Sequence, residues 1–150
     1  MRIYFDCCCY NRPFDDLSQE RVKMEADAIL AIATRALSSD DIILGSAALT
    51  LEIAAISDKA RISKVAELYK IATEYISLDN TVKNQARQLQ KYGLHAMDSA
   101  HVALAEKGHA DIFLTVDDKL LKMCQRLELH MRTMNPLEYI REVLQNESKY

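Results

Sequence analysis

The chain has 150 residues, 49% hydrophobic and 27% charged, with a formal net charge of −3. These values describe one globular domain spanning 1–150 with room for a real core, and they exclude a generic polyanion binder. No apolar run approaches the ~18 residues of a membrane span, and Asp6 interrupts the early apolar run that a secretory signal would need.

Ile3-Tyr4-Phe5-Asp6 reads as a short buried strand that ends in a carboxylate. Asn11-Arg12-Pro13-Phe14-Asp15-Asp16 reads as a loop. Asp16 and Gln19 are spaced as a capping box, opening a helix that runs to about Leu37. Its apolar face is Val22, Ala26, Ile29, Leu30, Ala33, Ala36 and Leu37. Ile42–Gly45 forms a second strand, and Ser46 caps a helix from Ala47 to about Ile56. A further helix spans roughly 59–73, followed by a strand over 75–78. A polar, basic helix starts at Asp79 or Thr81 and ends near Tyr92, before Gly93. Ala96–Lys107 is an Ala-rich helix stopped by Gly108. Asp111–Thr115 is the fourth strand, and Asp117-Asp118 begins a helix to about 126 or 127. Leu129–Thr133 is the last strand. Pro136 opens a C-terminal helix whose end, 146–150, reads as a frayed tail. Strands alternating with helices imply an α/β fold: a three-layer α/β/α sandwich around a mainly parallel sheet of about five strands.

Cys7, Cys8, Cys9 and Cys124 offer neither zinc spacing nor a disulfide framework, so they read as reduced packing residues of a cytoplasmic protein. Charge is unevenly spread. Between Lys59 and Lys91 seven basic residues face three acidic ones, so this stretch carries +4 and the remainder −7. Lys83, Arg87 and Lys91 form a basic row at helical spacing.

Open α/β sheets place ligands at the carboxyl ends of their strands. Asp6 and Asp117 both follow strands there. Asp98 lies in the first turn of its helix, and Glu52 interrupts an otherwise apolar one, where a carboxylate is costly unless paired or metal-bound. All four can reach one edge of the sheet. At ~5 Å and an effective dielectric constant of ~20, each like-charge pair costs roughly 3 kcal/mol, so the cluster calls for protons or a cation. Hard oxygen ligands suit Mg²⁺ or Mn²⁺. A phospho-acceptor receiver would need an acid on the strand over 75–78, and Ile76-Ser77-Leu78 carries none.

The order and spacing of Ile3-Tyr4-Phe5-Asp6, Glu52, Asp98-Ser99-Ala100-His101-Val102-Ala103 and Leu114-Thr115-Val116-Asp117 resemble the PIN-domain family, which includes toxin-type ribonucleases of bacterial toxin–antitoxin pairs. Asn11 to Asp16 also resembles a segment of one PIN subgroup. The resemblance covers nearly the whole chain. It implies a Mg²⁺- or Mn²⁺-dependent endoribonuclease acting on single-stranded RNA and leaving 5′-phosphate and 3′-hydroxyl ends. The alternative is a weak or inactive PIN-like module that docks RNA or a protein. Asp6, Glu52, Asp98 and Asp117 would form the acidic catalytic site, with Asp6, Asp98 and Asp117 as metal ligands. Thr115 would orient a ligand or water, and Asp118 would assist. Arg12, Lys83, Arg87 and Lys91 are candidate RNA contacts. His101, one turn beyond Asp98, reads as a packing or hydrogen-bonding residue. The family also implies a homodimer and an antitoxin-like inhibitor, and the aliphatic surface of the helices between Val22 and Ile56 permits such interfaces or serves core packing. The chain departs from the family at Cys7, where Thr or Ser is frequent. A thiol replaces a hydroxyl poorly, so activity is expected to be weaker if that hydroxyl holds a metal water or a phosphate.

Overall fold

A computed structural model describes residues 1–147. Five strands form one sheet, β1 (Arg2–Phe5), β2 (Ile42–Ser46), β3 (Glu74–Ile76), β4 (Ile112–Leu114) and β5 (Arg132–Met134), in the order β3-β2-β1-β4-β5. Every pairing is parallel. β1 lies at the centre, with Tyr4 opposite Leu44 on one side and Phe113 on the other. Ile3, Tyr4 and Phe5 are fully buried, which is why this strand reads as an unbroken apolar run rather than an alternating one. The edge strands are more polar, and Glu74, Tyr75 and Arg132 are exposed, as unpaired edges require.

Among the described residues, eight α-helices flank the sheet: α1 (Cys7–Asn11), α2 (Glu20–Leu37), α3 (Ala47–Ala54), α4 (Lys59–Tyr69), α5 (Asn80–Gln90), α6 (Ala96–Lys107), α7 (Asp118–Gln125) and α8 (Pro136–Glu147). α2 packs on α8, α5 on α6, and α3 between α4 and α6. The expected α/β architecture and its parallel five-stranded sheet are therefore present. Gly45 is required by a close approach: a Cβ there would lie 2.6 Å from the Tyr75 ring and 2.9 Å from the Tyr69 hydroxyl.

Several local expectations need correcting. A short helix over Cys7–Asn11, which the sequence did not announce, takes in the first residue of the expected loop, and Arg12–Phe14 within that loop is a single 3₁₀ turn. The capping box does not form. Asp16 Oδ1 accepts from the amide and hydroxyl of Ser18 instead, so α2 starts at Glu20 with Gln19 at its cap position and no side-chain cap. β5 begins three residues later than expected, because pairing with β4 sets Arg132 opposite Ile112. Of the tail expected over 146–150, Asn146 and Glu147 close α8, and 148–150 lies outside the described residues.

The candidate acidic site

Asp6 follows β1 and Asp117 follows β4, on adjacent strands, so parallel pairing brings the two acids to one end of the sheet. Each also caps a helix. Asp6 Oδ1 accepts from the Cys7 amide at 2.8 Å, opening α1. Asp117 Oδ1 accepts from the amides of Lys119 and Leu120 at 3.0 and 3.1 Å, opening α7. Capping and clustering are thus compatible roles of the same residues.

Thr115 ties the two acids together. Buried at the end of β4, it donates Oγ1–H to Asp6 Oδ2 at 2.9 Å and accepts from the Asp117 amide at 3.1 Å. The Cys8 thiol adds a longer contact of 3.3 Å to the same Asp6 oxygen. Asp6 is only 6% exposed. A carboxylate has about four acceptor positions; three are committed here, and the remaining one lies on Oδ1.

Asp98 sits half-buried in the first turn of α6. Burial, then the charges of Asp6 and Asp117, push its carboxyl above the ordinary carboxylate range. Asp98 therefore stands within electrostatic reach of both Asp6 and Asp117. Glu52 is separate. Burial works to raise its carboxyl, but hydrogen bonds from His101 and Cys7 outweigh burial and hold it below the ordinary value. His101 Nε2 lies 2.8 Å from Glu52 Oε1 and 4.0 Å from Asp6 Oδ1. The acids thus divide into a group of three aspartates and one glutamate bound to histidine. Among the described residues, no three His, Cys, Asp or Glu side chains stand close enough to enclose an ion as they are.

The other predicted residues fall elsewhere. Asp118 is not drawn into the cluster: Arg21 takes both its oxygens, at 2.9 and 2.7 Å. Arg12 is turned inward, its Nη1 bonded to Asp15 at 3.2 Å and its Nε 3.3 Å from Glu25 Oε1. The latter contact is near enough for an ion pair but is not aligned as a hydrogen bond. Lys83, Arg87 and Lys91 are exposed along α5 and its C-cap, with Arg87 bonded to Asn84 at 2.9 Å. Cys7 does not occupy a hydroxyl's place beside Asp6. Its buried thiol neighbours Glu52, and burial followed by that carboxylate raises it far above an ordinary thiol; its bond to Asp6 comes from the backbone amide.

Residues that the sequence reading missed hold the site in place. Glu25 is fully buried and meets Arg12, Arg21 and Asn135, the last at 2.5 Å. Its spacing was a signal, since it lies three residues after Val22 and four before Ile29, on the apolar face. Arg61 of α4 binds Asn11 Oδ1, Asp15 Oδ1 and the Phe14 carbonyl, at 3.2, 2.9 and 2.8 Å. Tyr4 was legible only as a strand residue, although a buried tyrosine hydroxyl needs a partner.

No protein-family model matches this chain, and no curated protein matches it. Solved structures do. VapBC2 from Rickettsia felis, a crystal structure bound to a DNA fragment from their promoter, aligns with a TM-score of 0.58 at 12% identity over 90% of this chain and 98% of that chain. VapBC-1 from nontypeable Haemophilus influenzae aligns with a TM-score of 0.56 at 14% identity, over 91% and 98%. At such identities the likeness is one of fold. The chain has the PIN-domain fold, as the resemblance carried by its acidic motifs implied.

Proposed function

We propose that this protein is a Mg²⁺- or Mn²⁺-dependent endoribonuclease that hydrolyses phosphodiester bonds of single-stranded RNA. The observation that carries this reading is the placement of Asp6 and Asp117 at one end of the sheet, joined through Thr115, with Asp98 near enough that their charges add to burial in raising its carboxyl. Three hard oxygen donors fit a divalent cation in kind, and an ion would draw them closer than they stand alone. Asp6 has one uncommitted acceptor position for it. When bound, such an ion lowers the pKa of a water and offsets charge on the phosphodiester.

The chain's own residues perform the remaining tasks. Thr115 fixes the orientation of Asp6 and, through the Asp117 amide, the start of α7. Glu52 stays ionised at the side of Asp6 through its bond to His101. The exposed row Lys83, Arg87 and Lys91 offers positive charge to an RNA backbone. Arg12 and Asp118 have no part in this reading, because their charges are spent internally.

The likeness to VapBC toxin–antitoxin structures supports a toxin role with an antitoxin-like inhibitor, and a homodimer is part of the same proposal. Leu37, Leu51, Tyr75 and Tyr92 are all more than half exposed, which suits protein contacts. Four free thiols suit a cytoplasmic setting. No helix among the described residues is long and apolar enough to cross a membrane.

The test is cleavage of single-stranded RNA with Mn²⁺ or with a chelator, by the wild-type protein and by Asp6→Asn. Cleavage should require the ion and vanish in the variant. Equal cleavage by Asp6→Asn, or cleavage that survives chelation, overturns the proposal. The near-complete burial of Asp6 favours one second reading, a PIN-like module that binds without cutting. RNA retained on the wild-type protein but left intact under saturating Mn²⁺ would establish it.

A further inference from the structure

Beside Asp6 runs a line of hydrogen bonds of which the proposed reaction uses only the end. It connects Leu49, Ser46, Tyr4, His101 and Glu52. Its two termini have fixed polarity. The Leu49 amide can only donate, and Ser46 Oγ accepts from it at 3.1 Å as the cap of α3. An ionised Glu52 carboxylate can only accept, so His101 Nε2 must bring the proton across their 2.8 Å contact. Between them the Tyr4 hydroxyl lies 2.7 Å from Ser46 Oγ and 2.7 Å from His101 Nδ1.

Only one arrangement uses every group. Ser46 donates to the Tyr4 oxygen, Tyr4 donates to Nδ1, and Nε2–H donates to Glu52. The other imidazole tautomer would set a bare Nε2 lone pair against a carboxylate and leave the Ser46 proton without an acceptor. Tyr4, Ser46 and His101 are each no more than 1% exposed, so water has no room to repair such a mismatch. The rings are also immobilised. Tyr4 stacks on Phe113 with centroids 5.4 Å apart and meets His101 edge-on at 5.8 Å.

We propose that Tyr4 is a positioning residue: it locks His101 as the Nε2–H tautomer, so that His101 holds Glu52 outside the ion's ligands and presents its N–H edge to Asp6. The histidine is then the divider between the single glutamate and the three aspartates. Its ring keeps two carboxylates of different task on either side of one N–H. This arrangement follows the general design in which a residue behind a metal site fixes the tautomer and orientation of those in front. For its kinetic consequence the inference rests on the ribonuclease reading; the tautomer itself does not.

Long-range nitrogen–proton NMR correlations of the imidazole rings test it directly. The chain has four histidines, and the His101 signal is identified by its loss in His101→Gln. In the wild type, Nε2 should be protonated and Nδ1 bare. Tyr4→Phe, which removes one oxygen and keeps the ring, should give a mixture of tautomers. It should lower kcat on single-stranded RNA about tenfold, the common cost of losing such support, while KM and Mn²⁺ affinity change less than about twofold. His101→Gln keeps an amide N–H for Glu52 and should retain more activity than His101→Leu.

A proton on Nδ1 in the wild type, or on both nitrogens, overturns the inference. So does an unchanged kcat in Tyr4→Phe, or equal losses in the Gln and Leu variants. If the wild type cuts no RNA, the ribonuclease reading falls and the tautomer in wild type and Tyr4→Phe decides this inference by itself. Should Tyr4→Phe fail to fold, the wild-type spectrum and the two His101 variants carry the test.

Discussion

Asp98 and Glu52 are both half-buried acids near Asp6, yet their neighbours push them in opposite directions, and this predicts opposite mutational effects. Asp98 is raised by burial and by Asp6 and Asp117. A carboxyl whose folded value is raised is no liability at pH below its unfolded value. Its cost appears as pH climbs through the raised value and is complete above it. Asp98→Asn, measured by thermal melting in chelator near neutral pH, should therefore raise Tm by roughly 2–4 °C, the effect of ~1 kcal/mol in a chain this long. The gain should disappear at acid pH. Glu52 is lowered, so its stabilisation is present above the ordinary carboxylate value and is lost as pH falls through the lowered one. Glu52→Gln should destabilise the fold near neutral pH by about 1–2 kcal/mol for a weakened charged hydrogen bond, read as a lowered Tm. A stability loss in both variants would mean that the aspartates do not repel. At this scale the acids were legible because strand ends and an apolar helix made them conspicuous. Their division was not. Glu52 and His101 are 49 positions apart and Tyr4 and His101 are 97 apart, and only the folded sheet and α6 bring them together.

Among the elements, the stretch from Cys7 to Asp16 departs furthest from expectation. Three cysteines and an Asn-Arg-Pro run have poor helix propensity, yet Asp6 caps a helix there and long-range partners hold the turn that follows. Arg61 gathers Asn11, Phe14 and Asp15, while Arg12 meets Asp15 and Glu25. Tertiary charge pairs override local preference, so composition could not have revealed the helix. The same pairs explain why Arg12 is unavailable to RNA. Glu25 is the most buried member, and removing it strands Arg12 beside a vacated core position. Glu25→Ala should destabilise the fold by ~3 kcal/mol, read as a lowered urea midpoint at unchanged slope. A shift below the error of the extrapolation would show that Arg12 finds another partner. The regular elements were far easier to read. β1, β2 and β4 are short apolar runs, and α2, α5 and α6 show clear helical spacing or stop signals. The edge strand β5 was displaced because sheet register, set by β4, is a property of two segments and not of one.

At the scale of the whole molecule, the acids share a site with the strongest part of the sheet. An ion that binds the folded chain alone should stabilise all of it. Mn²⁺ at a hundred times its dissociation constant adds ~2.7 kcal/mol, so Tm should rise by roughly 5–10 °C, and Asp6→Asn should abolish the rise. No rise in the wild type would count against the metal site. The position of Asp6 has a further consequence for motion. Its amide donates to the Leu114 carbonyl at 2.9 Å, extending the bonding of the central strand β1 by one residue. Opening that bond means parting β1 from β4 in the middle of the core. In amide hydrogen exchange, Asp6 should therefore be among the slowest residues and exchange only with complete unfolding, while the polar, outward-facing helix α5 exchanges sooner through local opening. The candidate ligand at the end of β1 and the least yielding backbone are then one place: the protein cannot loosen Asp6 without ceasing to be folded.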